Sequence, residues 1–186
     1  MKQHPAWIMW EGALTDEQCD EIIESGLTLE PEKASTFRSG KGEEDEVRKT
    51  QVRWMQPHAF PEVHDIIGSF AHEANKHFGL ELTHLPYIQF TEYKDVGHFY
   101  GDHHDVDWDR ADGFHRKISI TVQLSDPEDY EGGEFKFMTT ESPDPEAVKS
   151  RGTVIAFISY YDHAVTPITS GDRTSLVGWY EGPRWK

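Results

Sequence analysis

Two periods of apolar residues divide the chain. In the first half, Val63, Ile66, Ile67, Phe70, Ala74 and Phe78 recur at helical intervals and stop at Gly79, the stripe of an amphipathic helix. A shorter helix is marked upstream. Thr15 and Gln18 form a capping box, Asp16 and Glu17 suit the positive end of a helix dipole, and Cys19, Ile22 and Ile23 share a face. Gly26 is its expected C-terminal cap. From Leu85 the period becomes two. Tyr87, Gln89, Thr91 and Tyr93 alternate with Ile88, Phe90 and Glu92. Farther on, Ile118, Ile120, Val122 and Leu124 share one face of a strand, and Ser119, Thr121 and Gln123 the other. Gly132-Gly133 makes a turn before a strand over 134–137, Gly152 precedes one over 153–158, and a last strand covers 174–180. Helices followed by many short strands predict a mainly β domain with flanking helices (α+β), its core a closed or double sheet.

The 186 residues suit one domain over 1–186, with helical support over about 14–80 and a β core over about 85–182. A formal charge of -16 sets the chain against a phosphate backbone and against anionic membrane surfaces. Cys19 is the single cysteine, which removes an internal disulfide, and neither a signal-type apolar region nor a membrane-length stretch is present. A cytoplasmic protein is the expectation. Residues 35–46, polar and glycine-containing with an acidic run at 43–46, read as a solvated loop or as a lid over a site.

The densest chemistry lies in residues 97–109. In an extended chain His103 and Asp105 project together, and His104 faces away. An imidazole beside a carboxylate supplies two legs of a metal site. His163, after one strand and before another, is the best third. Two histidines and one carboxylate leave coordination positions open, the arrangement of non-haem Fe(II) oxygenases. Spacing alone leaves His98, His104, His115 and Asp107 as competitors. Arg173 follows a Ser-Gly turn shortly after His163 and could hold the far carboxylate of a dicarboxylic acid in a bidentate pair.

Taken in order, Tyr93, Gly97, Tyr100 and His103-His-Asp105, then Arg116 and 119–125, then 130–135, then His163, Gly171-Asp-Arg173 and Trp179, resemble the 2-oxoglutarate- and Fe(II)-dependent dioxygenases, in particular their prolyl 4-hydroxylase-like branch. The resemblance runs from about Leu14 to Trp179. It implies a double-stranded β-helix (jelly-roll) core, with His103, Asp105 and His163 as iron ligands and catalytic centre. It implies Arg173 as partner of the 2-oxoglutarate C5 carboxylate and Tyr93 as a cosubstrate-binding tyrosine. Tyr100 and Trp179 match positions that line the substrate side. Collagen-type members carry Lys where this chain has Arg173. Gln123 stands where some members have a cosubstrate-binding tyrosine, so Thr121 and Gln123 are expected to offer a hydroxyl and an amide there. Retention of Asp105 disfavours the related halogenases.

The implied activity is hydroxylation of a C–H bond, foremost on a prolyl residue of a peptide or protein. Fe(II) is the cofactor, 2-oxoglutarate and O2 are cosubstrates, succinate and CO2 are coproducts, and ascorbate is a reductant. The alternatives are the same chemistry on a free amino acid, another small molecule or a nucleobase, and a catalytically silent jelly-roll binding module.

Overall fold

The computed structural model describes residues 4–34, 47–85 and 87–186. The segment 35–46, read above as a loop or lid, lies outside the described residues. Among the described residues thirteen strands form three antiparallel sheets. The major sheet holds β1 (Trp7–Trp10), β2 (Glu32–Lys33), β4 (Gln51–Met55), β5 (Ile88–Tyr93), β7 (Phe114–Gln123), β10 (Val154–Ile158) and β13 (Arg173–Pro183), in the order β1-β10-β7-β13-β5-β4-β2. The minor sheet runs β3 (Arg48–Lys49), β6 (Phe99–His103), β11 (His163–Val165), β9 (Phe135–Phe137). A two-stranded ribbon joins β8 (Tyr130–Gly132) to β12 (Ile168–Gly171). This is the double-stranded β-helix that the resemblance implies.

Alternation along the central strands sorts the two faces of the major sheet. Ile118, Ile120 and Val122 of β7, Val154, Ala156 and Ile158 of β10 and Leu176 of β13 point outward. There they pack on Cys19 and Ile22 of α1 (Asp16–Leu27) and on Ile67, Ala71 and Phe78 of α2 (Pro61–Phe78). The opposite face carries Ile155 and Phe157, which meet Phe135, Phe137 and Val165 of the minor sheet. Side chains between the sheets are therefore enclosed by two layers, and the polar residues of β5, β7 and β13 on that side project into protein.

The capping box of α1 forms as expected, with Thr15 accepting from the Gln18 N–H and the Gln18 side chain accepting from the Thr15 N–H. Its end differs from the expectation. The helix runs on to Leu27 with Thr28 as cap, and Gly26 lies inside it. The glycine serves close packing: a Cβ there would stand 2.6 Å from the Phe90 ring. No basic residue of its own stands in the last turn of α1. Arg53 of β4 supplies one, donating to the carbonyls of Leu27 and Leu29 and to Glu92 Oε2 (2.7 Å). The second helix ends on Gly79 as expected.

β1 escapes the periodicity because its sequence, Trp-Ile-Met-Trp, is apolar on both faces. Trp7 and Met9 pack between the sheets, and Ile8 and Trp10 pack under the helices. A short third helix, α3 (Pro145–Lys149), precedes β10. Among the described residues no helix is long and apolar enough to cross a membrane.

Candidate active site

The antiparallel pairing of β6 with β11 sets His163 directly opposite His103, their ring centroids 4.2 Å apart. Asp105 lies two residues past the end of β6 and is tied down by its backbone, whose N–H donates to Ser159 O at 2.9 Å. Each histidine turns its Nδ1 to a carbonyl two residues upstream, His103 to Gly101 at 2.8 Å and His163 to Tyr161 at 3.0 Å. A carbonyl only accepts, so Nδ1 carries a proton in both rings and each Nε2 is turned inward. Those two atoms stand 3.7 Å from Asp105 Oδ1 and Oδ2 respectively.

Charge at this point is set by burial and by the three groups on one another. Burial, reinforced by His163, pushes His103 down to about 3. Burial alone would raise Asp105. His163, His103, Arg116 and a hydrogen bond from Ser119 outweigh it and hold the carboxyl at about 2. Ser119 Oγ donates to Asp105 Oδ2 at 2.6 Å and is itself 2.9 Å from Ser159 Oγ. A neutral imidazole facing an ionised carboxylate needs no proton removed before it takes up a cation. One ligand atom from each of His103, Asp105 and His163 can be chosen so that all lie within 4.8 Å of one another, a set that fits a single divalent metal.

The competitors are engaged elsewhere. His98 accepts from the Lys94 N–H and faces Asp95. His104 accepts from Trp108 Nε1, His115 accepts from the Trp185 N–H, and Asp107 accepts from the Asp109 N–H. Among the described residues no second group of this kind occurs.

From the triad a cavity extends along the inner face of the major sheet. Arg173 opens β13 opposite Tyr93 of β5, its guanidinium carbon 5.1 Å from the centre of that ring. It is 4% exposed, yet Nε and Nη1 find no hydrogen-bond partner among the described residues. Unpaired donors on a buried cation are costly, and an anion bound in the cavity would satisfy them. Gly133 makes room for this side chain: a Cβ there would lie 2.9 Å from Arg173 Cδ and 2.5 Å from Ile168 Cδ1.

Tyr93, Tyr100, Thr121 and Trp179 all line the cavity, and Gln123 does not. The Gln123 amide donates to Tyr130 Oη (3.0 Å) and to Ser125 O (3.1 Å). The Tyr130 hydroxyl, raised by burial and lowered in part by Arg173, sits between the amide and the guanidinium. Gln123 thus backs Arg173 through a tyrosine.

Arg48 is a charged cavity residue that sequence reasoning missed. It is buried, donates to Gln89 Oε1 (2.6 Å) and Thr50 Oγ1 (3.0 Å), and stacks 4.3 Å over the Tyr100 ring. On the other face of that ring lies His103, centroids 3.4 Å apart. In sequence Arg48 follows an acidic polar run and has the look of a solvated cation; only its place beside Thr50, at the start of an apolar strand, hints otherwise.

Solved structures share this architecture. A viral collagen prolyl hydroxylase from Paramecium Bursaria Chlorella virus-1, in its 2OG complex, superposes with a TM-score of 0.71 at 22% identity, covering 96% of this chain and 97% of that one. A prolyl hydroxylase from Trichoplax adhaerens, solved with a hypoxia inducible factor peptide fragment, gives 0.72 at 16% identity over 94% and 83%. At these identities the likeness is one of fold.

Curated relatives are closer in sequence over a shorter stretch. A PKHD-type hydroxylase of Maricaulis maris is 35% identical over 97 residues, and one of Synechococcus sp. (strain CC9605) is 39% identical over 86. These stretches take in 51% and 46% of this chain and 42% and 38% of the relatives, so the chain spans about two fifths of their length. The model of the 2OG-Fe(II) oxygenase superfamily matches residues 88–181, half of the chain. That span takes in both histidine-bearing strands and Arg173, and by it the chain belongs to the 2OG-Fe(II) oxygenase superfamily.

Proposed function

We propose that the protein is an Fe(II)- and 2-oxoglutarate-dependent dioxygenase that hydroxylates a C–H bond on a prolyl residue of a peptide or protein. One observation carries the reading. A two-histidine and carboxylate triad and a buried arginine with unpaired donors line the same cavity. His103 Nε2, the Asp105 carboxylate and His163 Nε2 would hold the iron. When bound, the metal supplies O2 activation coupled to decarboxylation of 2-oxoglutarate, so that substrate, O2 and 2-oxoglutarate become hydroxylated product, succinate and CO2.

The chain's own residues do the placing. Arg173 takes the C5 carboxylate, with Tyr93 and Thr121 on the walls and the Gln123–Tyr130 pair behind the guanidinium. Ser119 fixes the Asp105 carboxylate, and the two backbone carbonyls fix the imidazole tautomers. Tyr100, clamped between Arg48 and His103, and Trp179 with Arg116 stacked at 3.8 Å wall the substrate side. Burial lifts the Tyr100 hydroxyl to about 12, so it stays a neutral donor at working pH. We assign the whole described chain to one catalytic domain, working in the reducing cytoplasm with ascorbate as the reductant that keeps iron ferrous. The prolyl assignment is supported by the shared fold with solved prolyl hydroxylases and by the hydroxylase names of the relatives. The formal charge of -16 weighs against a nucleic-acid substrate.

The test is incubation with Fe(II), 2-oxoglutarate, ascorbate and a library of proline-containing peptides. Peptide-stimulated succinate release, with one oxygen atom gained at proline, is expected. Succinate stimulated by free amino acids and by no peptide would move the substrate to small molecules. No succinate under any condition would make the protein a binding module.

A further inference from the structure

The sheet face that lines the cavity continues past it. Val177 of β13 lies opposite Gln89 of β5, and Gln89 lies opposite Trp54 of β4, so the three form one row across the sheet. Gln89 and Val177 line the cavity, which puts Trp54 on the same side. One residue along, Gly178 faces Ile88. The next position on the cavity side is therefore Trp179, with Tyr87 across from it just before β5 begins. The three rings touch in sequence: Trp179 to Trp54 at 6.4 Å between centroids, Trp54 to Tyr87 at 6.1 Å. Exposure rises along this row, from 6% at Trp179 through a half-buried Trp54 to 48% at Tyr87. Neither Trp54 nor Tyr87 belongs to the apolar clusters that hold the layers together.

We propose that Trp54 and Tyr87 form a substrate subsite outside the metal cavity, for a ring-bearing residue (proline or aromatic) two to four positions from the oxidised residue of an extended peptide. The proposal deepens the peptide-hydroxylase reading above and rests on it. Its occupant follows from three features. The row is continuous with the cavity through Trp179, so a chain whose target residue enters the cavity has its flank drawn along these rings. An extended peptide advances about 6–7 Å for every two residues, which is the spacing of the rings. The rings are inclined, 43° between Trp179 and Trp54 and 75° between Trp54 and Tyr87. Inclined rings make a notch that grips the edge of another ring, as in the aromatic grooves that take proline-rich segments, where a flat platform would suit the face of a sugar. A free amino acid fills only the cavity and gains nothing from the notch.

The test uses two peptides with one target proline. The first carries proline two and four residues to either side, and the second carries alanine there. Wild type is expected to show a KM for the ring-bearing peptide about tenfold below that for the alanine peptide, with similar kcat. Tyr87→Ser and Trp54→Leu should each shrink the preference to about threefold or less, and labelled-peptide anisotropy should show the same loss in affinity. Tyr87 is half exposed, so its variant reads the subsite even if Trp54→Leu lowers the melting temperature. If wild type hydroxylates both peptides with equal KM, or the variants keep the full preference, the subsite is overturned and the peptide-hydroxylase reading stands. Turnover of small molecules alone, or binding of a soluble oligosaccharide in place of peptide, overturns both.

Discussion

Ser119 Oγ stands 2.6 Å from Asp105 Oδ2, which couples the middle of β7, a ten-residue strand inside the major sheet, to the carboxylate of the triad. The hydroxyl orients the carboxylate and helps hold it ionised. Ser119→Ala should weaken Fe(II) or Co(II) binding by about 10- to 100-fold, the usual cost of losing such a partner, with little change in fold. Metal titration followed by calorimetry checks this, with far-UV circular dichroism as the control.

The two adjacent histidines should part company. His103→Ala removes an inward-facing Nε2 and should abolish stoichiometric metal binding. His104→Ala loses the contact with Trp108, away from the triad, and should retain it. Metal content of the two purified variants decides the matter, and the opposite result would put the site in the wrong register.

Arg173 combines burial with unpaired donors, so its removal should be felt chiefly by 2-oxoglutarate. Charge-assisted hydrogen bonds contribute about 1.5–3 kcal/mol each, which places Arg173→Ala at about 10- to 100-fold weaker cosubstrate affinity. Arg173→Lys keeps the charge and loses the fork, so its loss should be smaller. Isothermal titration with 2-oxoglutarate in the presence of Zn(II) measures both without turnover.

His98, His103 and His115 all lie below the ordinary imidazole value, with burial the leading cause in each. The folded chain keeps these rings neutral, whereas the unfolded chain protonates them near about 6.5. Below that pH the unfolded state binds more protons, so the stability of the metal-free protein should fall as pH drops from about 6.5 toward 3, and these groups should contribute no slope above about 7.5. Urea midpoints of the metal-free protein at about pH 7.5 and 5.5 should therefore differ, the acid one being lower.

Gly26→Ala tests the packing of α1. Alanine is the better helix former by about 1 kcal/mol. Its Cβ would nevertheless meet the fully buried Phe90 ring at 2.6 Å, and overpacking costs about 1–3 kcal/mol. A net loss of stability on denaturant unfolding is expected, relieved when Phe90 is shortened to Leu in the same chain.

What could be read from the sequence follows from how each signal is encoded. The faces of β7 were legible because Ile118, Ile120 and Val122 alternate with polar residues, and α2 because its stripe is long and ends on Gly79. The shared direction of His103 and Asp105 came from the same period of two, whereas His163 stood out by its place between two strands and by the ordered motifs of the resemblance, since the β6–β11 pairing that sets it opposite His103 is carried by no local pattern. Gln123 has the correct face for a cosubstrate contact, but Tyr130, from the turn region after β7, comes between it and Arg173. Arg48 and Arg53 were illegible for one reason: in so acidic a chain a lone arginine reads as solvated, and burial is conferred by strands arriving from elsewhere.

The contact of Arg53 with the end of α1 has a kinetic side. The carbonyls of Leu27, at the end of this helix, and of Leu29, just beyond it, accept from a guanidinium 26 and 24 residues farther along the chain, itself held by Glu92. A 12-residue helix closed in this way is marginal on its own. It should consolidate late in folding, after β4 and β5 have paired, with slow kinetics typical of sheets built from distant segments. During synthesis the helical N-terminal part would then wait, incompletely formed, for the strands that complete it.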